Sequence, residues 1–318
     1  MEADRPGGIT ASGLEWVEAT IGQGATSLRV FIQQMVNGLA LGSIYALVAL
    51  GFSMVYGLLF FINLPHGEVM MVGTYVALAL LEAQVPTVAA VVAAMLITAL
   101  LGVVIEKLAY SRLRKARRLA PLLSALGLVL ILQNIVLVIR GPQSERFPQI
   151  FGAHVYEILG VRLPGTVFFA IGIAIGLMLL LQVFSKKTLL GISIRAASQD
   201  GDAAQLVGIN PNTVISVTFA IGSALAAAGG ILLGARYGAI SPTFGFPVML
   251  KAFAASVLGG IGNIPGAVLG GFIIGVAEVM AAAYISQSSQ DIVAFGVLIL
   301  ILLLRPSGLL SGRTEVAI

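Results

Sequence analysis

Residues 86–106 read PTVAAVVAAMLITALLGVVIE, and only the last of them, Glu106, carries a charge. An α-helix rises about 1.5 Å per residue, so about 20 apolar residues are needed to cross the hydrocarbon core of a bilayer. The stretch therefore predicts a transmembrane helix. Similar apolar stretches recur along the chain at 34–62, 68–82, 120–139, 164–184, 213–234, 248–262, 264–286 and 291–304.

The composition of the whole chain indicates the same class of protein. Hydrophobic residues make up 58% of the 318 residues and charged residues 10%, whereas about 25% of a soluble domain is charged. Three of the apolar stretches, 68–82, 248–262 and 291–304, are short for a complete crossing. We therefore expect an all-α polytopic integral membrane protein with about eight or nine transmembrane helices, some of them broken or re-entrant half-helices.

The chain divides into three parts by polarity. Residues 1–30 are a polar N-terminal extension without the basic start and apolar core of a signal peptide, and we expect them to be loosely ordered or interfacial. Residues 31–312 form the membrane domain, and residues 313–318 form a C-terminal tail. The chain has no cysteine, which excludes disulfides and thiolate metal sites. The net charge of +4 is attributed to cytoplasmic loops, and we expect no nucleic-acid partner.

The loops predict the orientation of the chain in the membrane. Residues 107–118, KLAYSRLRKARR, hold several basic residues and no acid, and residues 185–212 also begin with a basic cluster. Because basic loops stay in the cytoplasm, both segments are placed on that side and the loop at 140–164 on the external side. The N-terminus is external if residues 34–62 cross the membrane once, and cytoplasmic if they cross twice.

A polar interruption lies within the first long apolar region. It is FINLPHGEVMM, residues 61–71, and its NLPHG at 63–67 is echoed by NIPGA at 263–267. Proline removes a backbone donor and disfavours helix at the preceding residue. Paired interruptions are typical of transporters in which broken helices line the substrate path. The alternative is that Pro and Gly are simply common in membrane helices, and the sequence leaves both interpretations open.

Ionisable side chains within the apolar stretches are a second signal of a polar path. Each costs roughly 2.5–3.5 kcal/mol at the centre of a membrane helix on insertion scales, so a partner or a cavity is expected. Arg236 and Lys251 are further candidates, but Lys251 is near the start of its stretch and is expected to reach the headgroups. The residues predicted to face a translocation path are Asn63, His66, Glu68, Asn263 and Glu278.

Enzyme templates fit the chain poorly. His66 and Glu68 are two positions apart, which puts them on different faces of a helix. The sequence has no HExxH, GxSxG or P-loop motif, and the other histidine, His154, falls in the external loop. We therefore expect no catalytic residue, no metal site and no cofactor in this chain.

The loop at 185–212 contains DAAQLVG, residues 202–208. An acid, two alanines, three residues and a glycine resemble the EAA-xxx-G loop with which membrane subunits of ATP-binding-cassette (ABC) transporters engage their ATPases. A short helix with small alanines can lie in a groove of a partner, and a glycine ends it as a C-cap. The alternative is a plain amphipathic loop helix. The residues of this predicted coupling loop are Arg195, Asp200, Asp202, Ala203, Ala204 and Gly208.

Longer stretches make the resemblance more specific. Residues 37–75, which include GFSMVYGLLFFINLPHGEVMM, look like the opening of branched-chain amino acid ABC permeases. Residues 195–234 and 249–278 resemble two further blocks of that family, and LLLRPSGLLSG at 302–312 resembles its C-terminal end. The likeness covers nearly the whole membrane part and is closest to the LivH type of subunit, one of two paralogous permeases. The polar extension before residue 30 departs from the family's short N-terminus.

The resemblance implies an ABC importer permease fold in a bacterial inner (plasma) membrane. It also implies a second permease subunit, two cytoplasmic ATPases that bind ATP and magnesium, and a periplasmic amino-acid-binding protein. The implied cargo is leucine, isoleucine and valine. The alternatives are an ABC permease for other amino acids, amides or urea, or a proton- or ion-coupled secondary transporter with Glu68 and Glu278 as its relay.

Overall fold

The protein is described by a computed structural model that covers residues 11–59, 62–113, 119–152, 154–158 and 161–310, with side chains from Leu28 onward except at 158, 161 and 162. The described part is mostly helical. Its helices are α1 (Ala11–Leu59), α2 (His66–Glu82), α3 (Thr87–Ile105), α4 (Leu119–Arg140), α5 (Gly165–Lys187), α6 (Leu189–Gln199), α7 (Gly201–Leu206), α8 (Pro211–Tyr237), α9 (Gly245–Gly259), α10 (Ile264–Tyr284) and α11 (Gln290–Leu304).

Seven helices of the described residues are long and apolar enough to cross a membrane. They are α1 from Leu28 onward, α3, α4, α5, α8, α10, and α11 with the short 3₁₀ turn Gln287–Ser289 before it. Two further helices, α2 with 17 residues and α9 with 15, are shorter. The protein is therefore a multi-pass membrane protein, and the expected mixture of full spans and shorter helices is confirmed.

The first helix includes residues 11–30 of the predicted N-terminal extension. From Ala11 onward the chain is part of α1, and residues 1–10 lie outside the described part. No proline interrupts residues 11–59, and a formed helix extends by one hydrogen bond per added residue. Because α1 is unbroken and ends on the side of the basic loop, the cytoplasmic position predicted for that loop corresponds to an external N-terminus.

Helix α1 lies at the centre of the bundle and packs against α8 and α10. Glycines let the backbones of α1 and α10 touch directly. A methyl group added at Gly42 would lie 2.7 Å from Phe272 Cα, and one added at Gly271 would lie 2.6 Å from the backbone nitrogen of Ala46. Close contact through small residues is a usual mode of helix association in membranes. The outer helices α4 and α11 leave most of their apolar surface exposed to lipid or to a partner.

The two ends of the bundle are tied by different polar contacts. At the external end, Arg140 binds Glu82 at 2.9 Å, and its Nε donates to Glu145 at 2.9 Å. The two pairs of short strands also lie in the connections of this end: β1 (Glu145–Arg146) with β4 (Ala239–Ile240), and β2 (Val155–Ile158) with β3 (Val161–Pro164).

At the cytoplasmic end, α3 continues as a π-helical segment, Glu106–Tyr110, into the basic loop. The hydroxyl of Tyr110 donates to Asn63 Oδ1 at 3.3 Å. The turn between α1 and α2 therefore lies at the end of the bundle that carries the basic loop. The last residues of that loop, 114–118, are outside the described part.

Candidate functional site

The interruption NLPHG is a buried helix start. The chain turns at Asn63–Pro65, and α2 begins at His66. Proline is tolerated at this point because the first turn of a helix lacks acceptors for its amides in any case. The His66 ring nitrogen Nε2 lies 3.2 Å from the carbonyl oxygen of Val48 in α1. Asn63 and His66 thus bond to neighbouring helical segments, α1 in the case of His66 and the π-helical segment after α3 in the case of Asn63.

Glu68 lies in the first turn of α2, as its position after Pro65 predicts, and its side chain is fully buried. Its carboxylate is next to the backbone of Gly245 and Phe246, where α9 begins. Neither carboxylate oxygen forms a hydrogen bond of normal geometry with a described residue. The position between two helix N-termini favours an anion, because both ends carry partial positive charge.

The interruption NIPGA is also a helix start. Asn263 caps α10, since its Oδ1 accepts a hydrogen bond from the amide of Gly266 at 3.0 Å, while its Nδ2 donates to the carbonyl of Leu310 at 2.6 Å. The preceding Gly262 donates its amide to Ser53 Oγ of α1 at 2.9 Å. Both interruptions are therefore turns followed by helices, and both pack against protein.

A cavity of about 690 Å³ links the second turn to the cytoplasmic loop. Asn263 and Pro265 line one side of it, and Gln182, Lys186 and Arg195 line the other. The coupling loop predicted from the sequence therefore faces the start of α10 across open space.

Glu278 lies in a charged cluster that joins four helices. The hydroxyl of Tyr45 in α1 donates to Glu278 Oε2 at 2.9 Å, and Lys251 Nζ of α9 donates to Glu278 Oε1 at 2.7 Å. Lys251 also pairs with Asp291 of α11 at 2.9 Å. The expectation that Lys251 reaches the headgroups is wrong: its side chain is only 12% exposed, because two carboxylates hold the ammonium inside the bundle.

Two cavities open beside this cluster. One, of about 310 Å³, has Glu278, Gln34 and Arg236 in its wall. The other, of about 360 Å³, is lined by Tyr45 and Lys251. Tyr237, at the external end of α8, lines both. The cluster therefore separates two partly polar spaces in the external half of the bundle.

The loop at 185–212 forms two short helices, α6 and α7. Asp200 Oδ1 accepts hydrogen bonds from the amides of Asp202 and Ala203, at 3.0 and 2.9 Å, and so caps α7. Asp200 is exposed and only its Oδ1 atom is used in this cap, so its assignment to the coupling loop stays a prediction. Gly208 follows the end of α7 with φ +90°, which is the left-handed conformation expected of a glycine after a helix.

The surface of this loop is suited to a partner. Arg195, Asp202 and Ala203 are exposed, whereas Ala204 is buried against the rest of the loop. Leu206 and Val207 are 89% and 77% exposed, which the sequence analysis did not single out. A cytoplasmic protein that covers these two apolar side chains would gain from their burial.

The five residues predicted to line a path do not form one site. Asn63, His66 and Glu68 lie together at the start of α2, Asn263 lies at the start of α10, and Glu278 lies in the charged cluster. No group of three or more His, Cys, Asp or Glu side chains suited to a metal ion occurs among the described residues. The arrangement is that of a membrane bundle with separate polar positions along its length.

Comparison with known proteins identifies the family. A family model described as "Branched-chain amino acid transport system / permease component" matches residues 34–302. The chain belongs to this family. The match includes α2 to α10 and most of α1 and α11, so the resemblance expected from the sequence blocks is confirmed.

Individual relatives are similar over nearly their whole length. The high-affinity branched-chain amino acid transport system permease protein BraD of Pseudomonas aeruginosa is 42% identical over 90% of this chain and 97% of its own. The corresponding protein LivH of Escherichia coli strain K12 is 41% identical over the same shares. A solved structure, PsaBC from Streptococcus pneumoniae in complex with Fab, aligns with 86% of this chain and 90% of its own chain, at 13% identity and a TM-score of 0.46.

Proposed function

We propose that this chain is the LivH-type membrane subunit of an ABC importer for branched-chain amino acids in the inner membrane of a bacterium. The observation that carries the proposal is the 41–42% identity, over 90% of the chain, to permeases named for branched-chain amino acid transport. The proposed cargo is leucine, isoleucine and valine, which are zwitterions with an apolar side chain. A permease for other amino acids, amides or urea is the alternative.

The proposed partners follow from the surfaces of the chain. The exposed Arg195, Asp202, Leu206 and Val207 of the coupling loop form a contact for a cytoplasmic ATPase, one of two in the complex. ATP and magnesium bind to those ATPases, because the chain has no P-loop. A second, paralogous permease covers part of the exposed apolar helices, and a periplasmic binding protein delivers the amino acid at the external end.

The cargo path we propose passes Glu278 in the external half and the starts of α2 and α10 in the cytoplasmic half. It thus includes Asn63, His66, Glu68 and Asn263. A secondary transporter with Glu68 and Glu278 as an ion relay fits the contacts less well. Glu278 is already held by Lys251 at 2.7 Å, and Glu68 bonds to no other described side chain. The two carboxylates therefore do not form a continuous chain of exchanging groups.

Reconstitution tests this function directly. The chain is purified with its second permease and the two ATPases, and uptake of labelled leucine into proteoliposomes is measured with the binding protein outside. Uptake should require ATP inside and should persist when ionophores abolish the proton and sodium gradients. Uptake driven by an ion gradient, in vesicles that contain this chain without ATPases, would contradict the proposal. Competition by unlabelled valine, glutamine and urea identifies the class of cargo.

A further inference from the structure

The charged cluster around Lys251 is more elaborate than helix packing requires. Three ionisable side chains from α9, α10 and α11 meet there, and Glu278 is only 2% exposed. The ring of Tyr45 adds a hydrogen bond to Glu278, and its centroid lies 5.8 Å from Lys251 Nζ. Ionisable groups at such positions are costly in a membrane protein and commonly mark substrate pathways.

Both members of the central pair face open space. Glu278 is in the wall of the 310 Å³ cavity, and Lys251 is in the wall of the 360 Å³ cavity on the other side of the cluster. The cavity beside Glu278 also has apolar lining from Leu41 and Val279. The Lys251–Glu278 pair therefore stands between the two cavities, and a small molecule that enters between the two side chains would meet a carboxylate and an ammonium group beside an apolar wall.

We propose that the Lys251–Glu278 pair is a subsite for the zwitterionic head of an α-amino acid, with Glu278 taking the ammonium group and Lys251 the carboxylate. This inference rests on the proposed transport function. In the absence of cargo, the two side chains neutralise each other at 2.7 Å. The arriving zwitterion replaces one ion pair by two, and its apolar side chain lies along Leu41 and Val279.

Charge balance selects for a zwitterion at such a site. A cargo with only an ammonium group would occupy Glu278 and leave the Lys251 ammonium paired with Asp291 alone, which is 66% exposed, so the pair that remains is screened by water and contributes little. A cargo with only a carboxylate would leave Glu278 without its ammonium partner. An unpaired buried charge is strongly unfavourable, whereas exchange between ion pairs keeps every charge compensated. The amino acid backbone, common to leucine, isoleucine and valine, is therefore the feature that this subsite recognises.

Occupancy can be measured by thiol protection, because the chain has no cysteine of its own. Ala282 lies one helical turn after Glu278 in the wall of the same cavity, so Ala282→Cys places a reporter there. The variant is assembled into the full complex, and the cysteines of the other subunits are replaced. The measured quantity is the rate at which a water-soluble thiol reagent modifies the introduced cysteine. Leucine should slow this reaction about fivefold or more at saturation, since the bound cargo excludes the reagent.

Two analogues separate the charges of the cargo. Leucinamide lacks the carboxylate, and 4-methylpentanoate lacks the ammonium group, while both keep the leucine side chain. Neither should protect Ala282→Cys at concentrations where leucine does. A matched reporter, Gln149→Cys in the exposed external connection, should react at the same rate with or without leucine. Equal protection by all three compounds, or none by leucine, would overturn the proposal.

Charge variants complete the test. Lys251→Met and Glu278→Gln, each combined with Ala282→Cys, should abolish protection by leucine. Asp291→Asn should retain it, because the Lys251–Glu278 pair stays intact. Undiminished protection in Lys251→Met and Glu278→Gln would also refute the subsite. ATP-driven leucine uptake by the unsubstituted complex tests the transport function separately, and the Ala282→Cys result does not depend on whether the charge variants assemble.

Discussion

Gly259 and Gly266 face each other across the turn between α9 and α10, and a methyl group added to either would overlap the carbonyl of the other. The two helices therefore meet backbone to backbone directly beside the cap made by Asn263. The residues Leu309 and Leu310 close the same region by donating their amides to the carbonyls of Leu258 and Gly259, at 2.9 and 3.1 Å. The NIPGA turn is thus held by packing as well as by hydrogen bonds.

Replacement of Gly266 by alanine should destabilise the protein. Overpacking of this kind typically costs about 1–3 kcal/mol, because neither backbone can withdraw without losing its own hydrogen bonds. The measurement is the thermal unfolding of the purified complex in detergent. Gly176→Ala in α5 is the matched control, since an added methyl there meets nothing within 4 Å and alanine favours helix. If both variants unfold at the wild-type temperature, the close contact is not rigid.

Asn263 combines two functions that substitutions can separate. Asn263→Ala removes the cap of α10 and the bond to Leu310, and loss of a cap costs about 1 kcal/mol. Asn263→Asp keeps an oxygen for the amide of Gly266 but cannot donate to the carbonyl of Leu310. We expect the aspartate variant to unfold between wild type and the alanine variant. An alanine variant as stable as wild type would show that the cap contributes little.

We expect the coupling loop to transmit the conformational change of the ATPases to the membrane helices, and to make no contribution to the membrane insertion of the chain. Replacing Arg195 and Asp202 together by alanine removes two exposed charges and no described hydrogen bond between side chains. We expect uptake in proteoliposomes to fall about tenfold, because the predicted contact with the ATPase is weakened. The protein level should not change, because both residues lie outside the membrane-spanning helices. A bulky residue at Gly208, which has φ +90°, should have a similar effect through backbone strain. Uptake at the wild-type level would exclude this loop as the ATPase contact.

Asp200 supplies an internal control for that experiment. Its carboxylate caps α7, so Asp200→Asn should retain function, whereas Asp200→Ala should weaken the loop helix by about 1 kcal/mol. The comparison uses uptake together with the ATPase activity that the loaded binding protein stimulates. Equal loss in both variants would mean that the charge of Asp200, and not its cap, is what the ATPase requires.

Glu68→Gln tests the start of α2. The substitution keeps the size of the side chain and removes a charge that no described residue pairs. We expect normal insertion and a thermal stability close to that of wild type, because the desolvation cost of the buried charge is removed together with its favourable interaction with the two helix N-termini. Uptake of leucine should fall more than basal ATP hydrolysis does if the carboxylate faces the cargo path. Parallel loss of protein level and uptake would assign Glu68 a structural function alone.

Much of the fold follows from local properties of the sequence. Long apolar stretches define the spans, and the proline in each of the two interruptions defines a helix start at 63–67 and 263–267. The glycine after DAAQLV correctly predicts the end of α7. These features depend only on residues that are close in sequence, so a single sequence is enough to predict them.

The partners of the polar side chains could not be read in the same way. Lys251 and Glu278 are on different helices, and their contact depends on how α9 and α10 cross. Lys251 was therefore assigned to the headgroups from its place in its own stretch. Tyr45 gave no signal, because a tyrosine in an apolar helix is common. The cap made by Asp200 was not predicted for a related reason: an acid before a short helix serves equally as a cap or as a contact with a partner.

The glycine contact between α1 and α10 constrains how the protein can move. Because Gly42 and Gly271 bring two backbones together without an intervening layer of side chains, the helices cannot slide past each other without collision. During a transport cycle, α1 and α10 should therefore travel as one rigid body together with α9, whose backbone meets α10 in the same way. Movement is expected instead at peripheral helices such as α11, where a methyl group added at Gly296 meets nothing within 4 Å. The distance between spin labels on α1 and α10 should be the same with and without ATP, whereas the distance between labels on α1 and α11 is free to change.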